Sequence, residues 1–155
     1  MPIEFEFLSP DDLPALLGLT HPELLGTAHL VLSELGYKVH APATHEEFLS
    51  RFAQTQYHLV VIEECFACAE QHENTALINL QLMPMQLRRH ATVLLIGPSY
   101  SSMHSMQAYQ QSVHAVVNPV DIINLKPIIQ KTVADTNALY QVFRDTQQRM
   151  AKGAA

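Results

Sequence analysis

The chain has 155 residues, 48% hydrophobic and 15% charged, which fits one globular domain with a real core and excludes a disordered chain. Its net charge is -6 with histidine neutral, and its few Lys and Arg are scattered, so the basic stripe of a nucleic-acid binder is missing. No apolar run approaches the roughly 20 residues of a membrane span, and "MPIEFEF" lacks the makings of a signal peptide.

In chain order, Ile3 to Leu8 alternates, with Ile3, Phe5 and Phe7 on one face and Glu4 and Glu6 on the other. This predicts an extra N-terminal strand with one wet face. "SPDDLP" breaks the chain. Ala15 to Leu19 is unbroken and apolar, as expected of a strand covered on both faces. Leu24, Leu25, Ala28, Val31, Leu32 and Leu35 then recur at helical spacing. Thr20 or His21 stands at the start of that helix, Pro22 in its first turn and Gly36 at its C′ position. "YKVH" is a short strand, and "THEEFLSRFAQ" a helix with Thr44 and Glu47 spaced as a capping box. "YHLVVIE" is a third apolar strand.

Beyond the two cysteines, "NTALINLQL" predicts a helix and "MPMQLRRH" a loop broken by Pro84. "ATVLLIG" is a buried strand, "SYSSMHSMQAYQQS" a helix, and "VHAVVN" a last strand ending at Pro119. From about Asn124 onward the composition is helical, with Pro127 tolerated in the first turn. Strands and helices alternate and the strands are apolar throughout, which predicts a parallel sheet with helices on both faces.

From Ala15 to about Val133 this order resembles a response-regulator receiver domain. The likeness is carried by "LSELGYKVHAPATHEEFLSRF", by "YHLVVIE" and by "VHAVVNPVD". It implies a flavodoxin-like, doubly wound α/β fold with five parallel strands in the order 2-1-3-4-5. To this the chain adds the N-terminal strand and linker over 1–13 and a C-terminal helical extension over 134–155, around a receiver-like unit at 14–133.

The resemblance also implies where phosphoryl chemistry would sit: an acidic pair for Mg²⁺, an aspartate, a hydroxyl and a lysine, which together neutralise and hold a phosphoryl group. Carried over position by position, the acidic pair falls on Thr20 and His21 or one residue earlier, and the phosphoacceptor on Glu63. The hydroxyl falls on Gly97, with Ser99 two residues late, and the lysine on Asn118; Pro119 alone matches. Mg²⁺ wants oxygen ligands, and Thr20, His21 and one glutamate are a poor set. The expectation is a pseudo-receiver without catalysis and without cofactor. Glu63 is either a carboxylate satisfied at a strand end or a permanent stand-in for phosphate charge. The resemblance further implies a cis peptide at Asn118–Pro119.

Cys65, Cys68 and His72 form a Cys-x2-Cys-x3-His cluster amid glutamates. Zinc normally takes about four ligands from two clusters, and here there is one. A disulfide switch, a metal site and two small packed residues all remain readings of it, and a thiol or metal sensor is the alternative function. A further alternative is a weak phosphoreceiver at Glu63.

Function otherwise moves to surfaces. Met103, Met106 and Tyr109 share a face of the helix over 101–112, and Leu139, Val142, Phe143 and Met150 extend an apolar stripe beyond what one domain covers. The stripe either folds back on the N-terminal strand, pairs with a second subunit or leads to an effector. The expectation is a cytoplasmic homodimer that signals by protein contact, with no nucleic-acid or membrane partner.

Overall fold

The computed structural model describes residues 12–153, so the alternating segment at 3–8 lies outside the described residues. Five parallel strands form one sheet in the order β2-β1-β3-β4-β5. They are β1 (Leu13–Gly18), β2 (Tyr37–His40), β3 (Leu59–Glu63), β4 (Thr92–Ile96) and β5 (Ala115–Val117). Each strand sends alternate residues to opposite faces. Leu16, Val60, Ile62, Leu95 and Val116 therefore join one core, while Leu17, Val61, Leu94, Ile96 and Val117 join the other. Both faces are covered, which is why the strands read as unbroken apolar runs. Helices α2 (His45–Gln54) and α3 (Thr75–Leu82) seal the first face through Phe48, Phe52, Leu77 and Leu80. Helices α1 (Pro22–Glu34) and α6 (Leu125–Gly153) seal the second through Ala28, Leu32, Leu125 and Ile129.

Several local expectations change. β1 begins at Leu13, so the break ends earlier than "SPDDLP" suggests. Pro14 is accepted near the strand start, where its carbonyl takes the His58 N–H at 2.9 Å. Thr44 caps α2 by accepting from Glu47 N, but the Glu47 carboxylate turns to Arg51 at 3.2 Å, which leaves half of the capping box. "MPMQLRRH" is not all loop. It holds the short helix α4 (Met85–Arg88), whose Arg88 is buried and donates to Leu80 O at 2.7 Å and Ser112 O at 2.6 Å.

The helix expected over 101–112 is confined to α5 (Ser105–Gln110). Met103 lies outside it in a left-handed conformation (φ 62°), because its N–H pairs with Val116 O of β5 at 2.9 Å. Gly36 takes the C′ position of α1 with φ 89°, as its lack of a side chain allows. The Asn118–Pro119 bond is trans, with no cis peptide among the described residues. Asn118 there is an extended N-cap, accepting from Val120 N at 3.0 Å to start the 3₁₀ turn Pro119–Asn124. α6 runs 29 residues, about 44 Å, and its last buried residue is Thr136.

Candidate functional site

The register aligns the carboxyl ends of the central strands: Gly18 faces Ile62, Glu63 faces Ile96, and Ile96 faces Val117. Residues just beyond these ends must therefore converge, and open α/β sheets bind ligands at this edge. A cleft of about 860 Å³ lies there, lined in part by His21, Leu24, Glu63, Gly97, Pro119 and Val120. Among the described lining residues there are carboxylates but no Lys or Arg.

Glu63 stands where the sequence placed it, at the end of β3. Its Oε1 accepts from Thr20 N and His21 N, both at 3.1 Å. The two residues expected at the acidic-pair position thus meet Glu63 through their backbones. The Thr20 hydroxyl points to the next loop instead, accepting from Ala67 N at 2.7 Å. His21 is the N-cap of α1 without a side-chain capping bond.

Glu64 was not singled out by sequence, and it is the more deeply placed of the two carboxylates, at 5% exposure. Ser99 Oγ donates to its Oε1 at 2.6 Å, and Ser99 N approaches its Oε2 at 3.4 Å. Its side chain lies across Gly97: a Cβ built there would stand 2.3 Å from Glu64 Oε2 and 2.6 Å from Glu64 Cβ. Gly97 is therefore more than a missing hydroxyl, since any side chain would displace Glu64. Burial and the Glu64 charge push the nearby Tyr100 hydroxyl up to about 12, and Gln71 Nε2 donates to that hydroxyl at 2.9 Å.

Asn118, at the lysine position, donates through Nδ2 to Tyr100 O at 2.8 Å, and its backbone N–H donates to Ser102 Oγ at 2.8 Å. Ser102 Oγ in turn donates to Asp121. A neutral amide here joins the β4–α5 loop to the β5 exit. On the other side, the buried Asn74 donates to Glu63 O at 2.9 Å and Glu64 O at 3.0 Å while its Oδ1 caps α3 at Leu77 N. The signal available in sequence was an Asn directly ahead of a helical run.

Cys65 and Cys68 are free thiols, half-buried in the loop after β3. Burial pushes both up, joined by the charges of Glu64 and Glu63 at Cys65 and of Cys65 and Glu73 at Cys68. His72 does not join them as a ligand set. It pairs with Glu70 at 3.1 Å, and the donors that cluster are Glu70, His72 and Glu73, all exposed.

Met106, Tyr109, Leu139, Val142, Phe143 and Met103 are all solvent-exposed, with Tyr109 at 80% and Leu139 at 67%. Phe143 lies under Arg89, whose Cζ is 5.3 Å from the ring centroid.

No family model matches the chain. No curated protein matches it either. Solved structures do. A CheY-like response-regulator receiver domain protein from Methanospirillum hungatei is 18% identical with a TM-score of 0.63, over 83% of this chain and 98% of that one. An orphan response regulator of H. pylori is 16% identical with a TM-score of 0.59, over 78% and 96%. A response regulator of Burkholderia pseudomallei, solved with a phosphorylated aspartic acid, is 14% identical with a TM-score of 0.53, over 92% and 86%. Its strand order, its flanking helices and these likenesses give the chain the CheY-like, flavodoxin-like fold.

Proposed function

We propose that the chain is a non-enzymatic pseudo-receiver that signals by phosphorylation-independent protein contact, as a homodimer. The observation that carries this reading is the internal satisfaction of the strand-end site. Glu63 accepts two backbone N–H groups, Glu64 takes Ser99, and Asn118 holds Tyr100 O. No Lys or Arg among the described lining residues offsets the carboxylates, so an incoming phosphoryl anion meets like charge. The same arrangement disfavours Glu63 as a phosphate mimic. The Lys and hydroxyl that would read its charge are replaced by Asn118 and Gly97, and its carboxylate binds the loop beside it. Intact mass of the chain after incubation with acetyl phosphate and Mg²⁺ should be unchanged. A gain of one phosphoryl group that vanishes in Glu63→Gln would overturn this and restore the weak phosphoreceiver.

The contact surface in this reading is the apolar side of α5 and the extension of α6. Leu139 and Val142 lie at 67% and 66% exposure on a helix that outruns the core beneath it. Apolar area of this kind contributes about 25 cal/mol per Å² when covered. Sedimentation equilibrium of the full chain should give a dimer, and the double substitution Leu139→Glu, Val142→Glu should give a monomer with an unchanged circular dichroism spectrum. A variant that stays dimeric would remove the α6 stripe as the dimer element. For the thiols, the upward push on both works against reactivity at neutral pH, so the sensor reading is the weaker one.

A further inference from the structure

The extension of α6 does more than outrun the sheet. Opposite the strand-end site, its outer turns close a second cleft of about 410 Å³ against α4 and the starts of β3 and β4. Arg89 and His90 come from the α4 side, His58 from the residue before β3, and Tyr140, Phe143 and Arg144 from α6.

Two features set this cleft apart from the rest of an acidic surface. The chain has 15 Asp and Glu against 9 Lys and Arg, yet no carboxylate is among the described lining residues. Nor does Arg89 or Arg144 form an ion pair with a described carboxylate, and the neighbouring Asp145 is taken by Gln141 at 2.9 Å. Two guanidinium forks therefore face one space without a counter-charge, the arrangement that recognises carboxylate or phosphate. The second feature is His90, whose ring stacks on Phe52 at 5.4 Å and whose enclosed Nε2 has no hydrogen-bond partner among the described residues. Buried polar atoms in this state call for a partner. His58, by contrast, has its Nδ1 engaged with the Tyr37 hydroxyl at 3.2 Å.

The rings complete the chemistry. Phe143 already holds Arg89 over one face, which fixes that guanidinium while leaving its edge N–H groups for an anion. Tyr140 adds a second ring from the same helix, one turn away. We propose that this cleft is a ligand site for a small ring-bearing oxyanion, an aromatic carboxylate or a nucleoside phosphate, with its anionic end on Arg89 and Arg144 and its ring against Phe143 and Tyr140. This site is independent of the strand-end positions and stands or falls apart from the loss of phosphoryl chemistry, though it shares Phe143 with the α6 stripe of the proposed dimer.

The test is a titration of the ¹⁵N-labelled full chain with benzoate, adenosine monophosphate and inorganic phosphate, followed by amide shifts. The expected result is saturable shifts confined to 56–58, 86–92 and 136–147 with at least one ring-bearing probe, and binding at least about tenfold weaker for inorganic phosphate. Benzoate alone saturating assigns a carboxylate ligand, and the nucleotide alone assigns a phosphate. Arg89→Gln and Arg144→Gln, both at exposed positions, should each weaken binding by about tenfold or more, as loss of a charge-assisted hydrogen bond implies. Arg149→Gln, on the same helix but outside the cleft, should leave binding unchanged. No saturable shift with any probe, equal binding of inorganic phosphate, or binding that survives the double Arg89→Gln, Arg144→Gln substitution would each overturn the proposal.

Discussion

Replacing Gly97 by alanine destabilises the chain by about 3 kcal/mol, a fall in Tm of about 6–12 °C for a domain of this size. The cause is local and steric. A methyl group on residue 97 would stand 2.3 Å from Glu64 Oε2 and 2.6 Å from Glu64 Cβ, separations that real side chains do not tolerate. Rotating the carboxylate tip is no remedy, because the body of the Glu64 side chain is also in the way. Displacing it breaks the 2.6 Å bond from Ser99 Oγ and leaves a carboxylate at 5% exposure without that donor. The cost should therefore depend on Glu64. In a Glu64→Gly background, which removes the Cβ as well as the carboxylate and is itself weakened by loss of the Ser99 bond, adding Gly97→Ala should cost under about 1 kcal/mol. Strict additivity of the two substitutions in urea denaturation would mean that the clash is relieved elsewhere and that Glu64 does not dictate glycine. The functional corollary is direct: putting threonine back at 97 and lysine at 118 does not rebuild a phosphoryl site while Glu64 lies across residue 97.

This coupling also marks how far sequence alone reaches into the site. The sheet and its order were legible because unbroken apolar runs such as "LVVIE" and "TVLLI" have one economical use in a chain this size, a parallel strand covered on both faces. The strand-end positions of Glu63 and Asn118 followed from that order. What could not be read was direction. "IEE" presents two adjacent carboxylates, and only the turn after β3 decides that Glu63 reaches toward β1 while Glu64 folds inward over β4. Gly97 therefore looked like a missing hydroxyl, although a neighbour from the turn after β3 requires it. The same gap explains Met103. Its spacing to Met106 and Tyr109 is helical, yet the segment before Ser105 pairs with β5 instead, an outcome set by tertiary hydrogen bonds. Cys65, Cys68 and His72 show the converse, since nearness in sequence left a ligand set open as one reading, and among the described residues the loop does not bring those three donors together.

Asn74 carries the second large effect. It is fully buried, and one side chain serves three backbone groups: the carbonyls of Glu63 and Glu64 and the N–H of Leu77. Asn74→Ala removes a helix cap worth about 1 kcal/mol and strips the Glu64 carbonyl of its side-chain donor, at about 1–3 kcal/mol, while the Glu63 carbonyl keeps the Phe66 N–H at 3.1 Å. A total near 3 kcal/mol is expected from thermal or urea unfolding. Asn74→Asp separates the contributions. Its carboxylate keeps the acceptor for Leu77 N but sets negative charge against two carbonyl oxygens, close to Glu63 and Glu64. At pH 7 it should be at least as destabilising as alanine, even though aspartate is as good a cap as asparagine. A wild-type stability for Asn74→Asp would show that the cap alone matters and that the turn after β3 holds itself. If the donors matter, loosening this turn also frees Glu63, and the amides of Thr20 and His21 lose hydrogen-exchange protection while those of the β4 core keep theirs. That selective loss would tie the conformation of the strand-end site to one buried amide, with no phosphoryl group needed to set it.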